Sequence, residues 1–171
     1  KFKMIGSNGP NYHKPEINGV AHEGWGGWGW DSFFTRYGLA ETRRGDGLHP
    51  QRPRNVNSRF MFLKDGKYEF DFVEYCRKYN EGQAPDVITV ALGLNNIFWA
   101  NDETIGQVME KKVFPYLERM IREFNINAPN ALIGVAVMGP GASSQDAYGA
   151  NYGCRQTKWQ FRKNLDFYNR A

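Results

Sequence analysis

Histidine and cysteine are scarce in this chain, and it has no long apolar run. Its 3 histidines, His13, His22 and His49, stand far apart, and no carboxylate is spaced from them as a metal site requires. The 2 cysteines, Cys76 and Cys154, lie outside any C-x-x-C pattern; one disulfide and two free thiols both remain open. A membrane-spanning helix needs about 20 consecutive apolar residues, and no stretch supplies them. The opening residues do not read as a secretory leader. It begins with Lys1 rather than Met, as a processed or truncated product would. Repeats and low-complexity linkers are also missing. Basic residues are scattered apart from Arg43–Arg44 and Arg52/Arg54, so the net charge of +4 describes a solvated surface rather than a nucleic-acid stripe.

The composition that remains, 41% hydrophobic and 23% charged over 171 residues, suits one domain with one core, residues 1–171. Its elements alternate. Phe2, Met4 and Ile5 read as the end of a short strand, stopped by the turn cluster Gly6–Pro10. A Gly/Trp-rich segment, 23–30, leads into a short helix ending by Tyr37. Residues 38–66 are rich in Gly, Pro, Arg and Asn and read as a long irregular excursion. The spacing predicts a helix over 70–79, with Phe72, Val73, Cys76 and Tyr79 on one side. Asp86–Leu92 (DVITVAL) is apolar nearly throughout and β-branched, and Ala131–Met138 (ALIGVAVM) is a second buried-type run, the pattern of strands covered on both faces of a parallel sheet.

Between those strands, Asn101 or Asp102 caps a helix whose apolar positions run Ile105, Val108, Met109, Val113, Leu117, Met120, Ile121 and Phe124. Pro115 should kink it. A last helix spans 157–168. The alternation predicts an α/β fold with a parallel sheet and helices on both faces. In such sheets the chemistry lies beyond the carboxyl ends of the strands, which directs attention to Gly6, Gly93 and Gly139 onward.

Two of those places carry a resemblance. Gly93-Leu94-Asn95-Asn96 resembles the G-x-N-D block of the SGNH (GDSL-like) ester hydrolases, with Asn96 where the family usually has Asp. An Asn at a strand end can donate an N–H to the oxyanion of a tetrahedral intermediate. Upstream, His22-Glu23-Gly24-Trp25-Gly26-Gly27-Trp28 resembles the block whose glycine N–H supplies a second oxyanion donor. By position that role falls to Gly24. The stretch from Asp146 to Gln160 is similar to a branch of the family common in gut bacteria. The resemblance implies a three-layer α/β/α, flavodoxin-like parallel sheet that is incomplete here. The Gly-Asp-Ser nucleophile block and the Asp-x-x-His block are missing, and so is the central strand between the one ending at Ile5 and Asp86–Leu92. Missing segments of a longer polypeptide, or a second chain, would complete that sheet, because unpaired buried backbone groups are costly.

The function implied is hydrolysis of an O-acyl ester, with an acylated carbohydrate as substrate and no cofactor. This chain alone would be inactive. A secreted, periplasmic or particle-associated setting follows from the resemblance only. Trp25 and Trp99 are candidate stacking walls for a sugar ring, and His22 and Asn96 candidate pocket residues. The rival is a non-catalytic carbohydrate-binding or structural module that keeps the fold. Ser7 reads as a turn serine, since 7–24 is too short to hold a crossover to a second parallel strand. Asp46-Gly47-Leu48-His49 resembles the D-x-x-H block but sits in the wrong order, which makes Asp46 and His49 a minor acid/base candidate. Replacing His49 with Ala in an active complete protein should leave turnover unchanged; a loss of 100-fold or more (roughly the scale of a missing general base) would restore it to the mechanism.

Overall fold

The computed structural model describes residues 3–9, 21–43, 53–54, 56–139 and 141–171. It is a mixed α/β structure whose contacts group into two compact units. One comprises Lys1–Gly26, Ser32–Asp86 and Glu123–Ala131, the other Gly27–Asp31, Val87–Arg122 and Leu132–Ala171. Of the expected sites, His13, Asp46 and His49 lie outside the described residues.

The first unit opens without the expected strand, since no strand forms over residues 3–5. Asn8 instead makes an isolated antiparallel bridge with His22, through Asn8 N–H to His22 O (3.2 Å) and His22 N–H to Asn8 O (2.8 Å). Helix α1 (Ser32–Thr35) follows, then the short antiparallel pair β1 (Thr42–Arg43) and β2 (Pro53–Arg54). The end of the expected excursion is a hairpin: β3 (Met61–Lys64) pairs with β4 (Lys67–Phe70), Met61 opposite Phe70 and Lys64 opposite Lys67. Its two-residue loop is Asp65-Gly66, both at positive φ, 46° and 80°. Asp-Gly is the pair that a tight loop matching strand twist selects.

Helix α2 (Phe72–Tyr79) begins later than the apolar spacing suggested. Phe70 belongs to β4, and Asp71 caps the helix by accepting from Glu74 N–H at 2.9 Å. The buried side is Phe72, Tyr75 and Cys76, while Val73 is 58% exposed. Three-residue spacing puts Tyr75 rather than Val73 beside Phe72, because the unit's core is a stack of aromatic rings. Phe60 lies at the centre of it, with ring centroids of Tyr75 at 4.3 Å, Phe70 at 5.2 Å, Phe33 at 5.8 Å, Phe72 at 6.1 Å and Phe124 at 6.4 Å.

In the second unit, β5 (Val87–Val90) and β6 (Leu132–Val135) form the expected parallel pair, Val87 opposite Leu132 and Val90 opposite Val135. Both are shorter than the apolar runs that announced them. Helix α3 (Leu94–Ile97) sits directly after β5. The long helix begins at Ile105, not at Asn101 or Asp102. Asn101 instead uses its side-chain oxygen to accept from Glu103 and Thr104 N–H in the preceding turn. The helix runs as α4 (Ile105–Val108), a π segment (Met109–Val113) and α5 (Phe114–Asn127). Proline has no N–H to donate and its ring crowds the preceding turn, so the irregularity expected at Pro115 takes the form of a widened turn just before it.

A helix not foreseen in the sequence, α6 (Gln145–Tyr152), is capped by Ser144, whose hydroxyl accepts from Asp146 N–H. Helix α7 (Lys158–Arg170) is capped by Thr157 and buries Phe161, Asn164, Leu165 and Tyr168. Buried Asn164 donates to Ile97 O (3.0 Å) and Ala100 O (2.7 Å), satisfying carbonyls that end the α3 turn. Cys76 is buried and Cys154 exposed, and both are free thiols. No helix among the described residues is long and apolar enough to cross a membrane.

Phe60→Ala should destabilise the protein by about 3–5 kcal/mol, the usual cost of deleting a buried ring, read from urea denaturation. A loss under about 1 kcal/mol would remove Phe60 from the centre of the core.

Candidate functional site

Asn95 and Asn96 open helix α3 at the carboxyl end of β5, after a turn made by Gly93 at φ 110°. Glycine is required there twice over. That φ disfavours any side chain, and a Cβ on Gly93 would lie 2.3 Å from the Tyr168 ring. Tyr168 is held in place by its hydroxyl, which donates to Leu92 O (2.8 Å) and accepts from Trp30 Nε1–H (2.9 Å). Burial raises its phenol above the usual tyrosine value, so it stays a neutral donor.

Asn95 is exposed. One N–H of its side-chain amide donates to Trp28 O at 2.8 Å. The other has no acceptor among the described residues. The amide is therefore oriented by the protein and still carries a donor directed away from its anchor. That is the arrangement an oxyanion contact needs.

Asn96 has a different use from the expected pocket role. Its oxygen accepts from Trp30 N–H (2.9 Å), and its amide donates to Asp31 Oδ1 (2.7 Å) and weakly to Lys112 O (3.4 Å). The side chain is committed to holding the 28–31 segment. The contact is so close that a Cβ on Gly29 would meet the Asn96 amide at 2.3 Å. An Asp at 96 could still accept from Trp30 N–H, but it would set a second carboxylate against Asp31. The amide supplies the donor that Asp31 needs. Trp28 and Trp30 are buried, 5% and 0% exposed, and belong to the core of this unit. Trp99, one helical turn beyond Asn95, is 55% exposed, as a stacking wall must be.

The first unit holds Gly24, His22 and Trp25. Gly24 N–H donates to His22 Nδ1 at 2.9 Å; that amide would have to give up the bond to serve as an oxyanion donor. Gly27, in the second unit with Asn95, is an exposed residue whose backbone N–H has no partner among the described residues. It lies one residue before the carbonyl that anchors Asn95. Assignment by motif position alone passed over it. Trp25 is half-buried, with its Nε1–H on Glu23 Oε2 (3.2 Å) and the Arg59 guanidinium 5.7 Å from its ring centre. It is less open to a ligand than expected.

Glu23 is the residue that motif reading missed here. Its carboxylate accepts from Ser7 N–H (2.5 Å), Ser7 Oγ–H (2.9 Å), Tyr75 OH (3.0 Å) and Trp25 Nε1–H (3.2 Å). Ser7 is thereby a tethered turn serine, with its hydroxyl spent on a carboxylate rather than on a histidine. Burial raises the Glu23 carboxyl above its ordinary value, and the bonds from Ser7, Tyr75 and Trp25 offset this only in part. Tyr75, buried beside it, is raised strongly for the same reason. A shallow apolar concavity of about 470 Å³, lined by Met109, Val113, Leu117, Val135, Val137 and Tyr168 among others, contains none of the sequence-predicted site residues.

Comparison with protein-family models, curated proteins and solved structures finds no match to this chain.

The Glu23 shift has a definite pH consequence. A carboxyl with a raised folded value binds its proton more tightly when folded. Its contribution to stability is therefore full below the unfolded value and is lost as pH rises through the folded one. Urea unfolding midpoints should fall over that interval in the native protein and fall less in Glu23→Gln, which cannot ionise. Equal pH slopes in the two proteins would mean that Glu23 titrates as it does in water.

Proposed function

We propose that this chain forms the oxyanion-stabilising part of an SGNH-type serine ester hydrolase acting on acylated carbohydrate. The observation that carries the reading is Asn95. It is an exposed amide at the carboxyl end of a parallel strand, anchored through one N–H and open through the other. In this reading Gly27 N–H supplies the second donor from the same unit, in preference to Gly24. A serine and an Asp–His pair come from segments outside these residues or from a second chain. The histidine takes the serine proton as Oγ attacks the ester carbonyl. The oxygen, now negative, is held by Asn95 and Gly27. The same proton then passes to the departing sugar hydroxyl, and water repeats the sequence to free the acid.

The complete domain in this proposal is a flavodoxin-like three-layer sheet. It is supported by strands whose composition suits cover on both faces, yet whose Val87 is 58% exposed, Leu132 73% and Val135 45%. In the proposed complete sheet these residues are covered. The second reading, a carbohydrate-binding module without catalysis, is favoured by one observation, the exposed Trp99.

In the complete enzyme, Asn95→Ala should lower kcat toward an aryl acetate by roughly 10²–10³, with little change in the unfolding midpoint. Undiminished turnover in that variant would overturn the assignment. Failure of the full-length protein to react with a serine-directed phosphonate would favour the module.

A further inference from the structure

We infer that Trp99, Tyr152 and Arg155 form a subsite for an acidic sugar, a uronate residue of a polysaccharide. This names the substrate class of the site proposed above and rests on that reading. The Trp99 ring stands edge-on to Tyr152, centroids 5.9 Å apart at 87°, and is 55% exposed. The guanidinium of Arg155 lies 5.4 Å from the centre of the Trp99 ring. Arg155 Nε donates to Tyr152 O at 3.4 Å. Its terminal nitrogens meet no carboxylate among the described residues, whereas Arg59, Arg77, Lys163 and Arg170 are each paired with one.

The chain is folded to place this group. Gly153 and Cys154 both adopt φ 58°, turning the backbone after α6. Buried Gln156 then fastens the turn to the Trp99 segment, donating to Phe98 O and, at 3.5 Å, to Ala100 O. Arg155 is therefore set over the Trp99 ring rather than left on a free loop. Trp99 follows Asn95 by four residues, two beyond the end of α3, which at helical rise is about 6 Å, a distance comparable to one sugar unit. An indole face takes the C–H face of a pyranose. A guanidinium with free terminal N–H groups takes a carboxylate in two parallel hydrogen bonds. A ring that stacks next to an unpaired cation selects a sugar with both features.

Isothermal calorimetry of the full chain with a trigalacturonate and with the neutral galactotriose tests this directly. The acidic trisaccharide should bind, more weakly as salt rises, and the neutral one should bind at least tenfold more weakly. Arg155→Gln should lose roughly tenfold in affinity for the acidic ligand, as expected for removal of a charge-assisted pair, and none for the neutral one. Trp99→Ala should weaken both. No binding of trigalacturonate, equal binding of the two sugars, or unchanged affinity in Arg155→Gln would overturn the inference. Uronate binding in a full-length protein with no ester turnover would sustain the subsite and remove the esterase reading. Turnover without uronate binding would do the reverse.

Discussion

Much of the second unit depends on the hydroxyl of Tyr168. It donates to Leu92 O at the end of β5 and accepts from the indole N–H of fully buried Trp30. A buried phenol left without partners would cost on the order of 1–3 kcal/mol; here it joins a helix, a strand end and the Trp-rich segment through one oxygen. The ring fills the space against Gly93 that any side chain would need. The position of Asn95 is thus set from below, by packing against a residue 73 positions away.

The same logic governs the neighbouring asparagine. Asn95 and Asn96 are adjacent and chemically identical, yet their environments assign them opposite uses. One N–H of Asn95 remains open to solvent. Asn96 is consumed by Trp30 and Asp31. A side chain that both donates and accepts is the only kind that satisfies a backbone N–H and a carboxylate at once. This accounts for an amide where the resembled family has an acid.

Legibility from the sequence followed the range of each interaction. The parallel strand pair, the capped helix α7 and the Gly-x-Asn turn are announced by local composition, and all three stand where the pattern puts them. Lys64-Asp65-Gly66-Lys67 was also a local signal, an Asp-Gly pair between apolar alternations, and was lost inside a segment read as irregular. The roles of Val73 and Tyr75 were not legible, because the choice between them was made by Phe60, distant in sequence. Nor was Glu23. Nothing in the motif E-G-x-G-G-W says that the acid will be enclosed by Ser7, Trp25 and Tyr75. Gly27 was hidden for a related reason: its value lies in an N–H left unpaired, and only the full hydrogen-bond pattern reveals that.

The parallel pair has a further consequence for the protein in solution. Among the described residues β5 pairs only with β6, so each strand presents a free edge; β5 exposes Val87, and β6 exposes Leu132 and Val135. Bare apolar strand edges are templates for any extended segment that drifts near, including the same segment of another molecule. During synthesis such a surface is a candidate client for chaperones, and in purified material it sets a ceiling on usable concentration. A strand laid along either edge would protect the chain from its own copies as well as satisfy the backbone groups there.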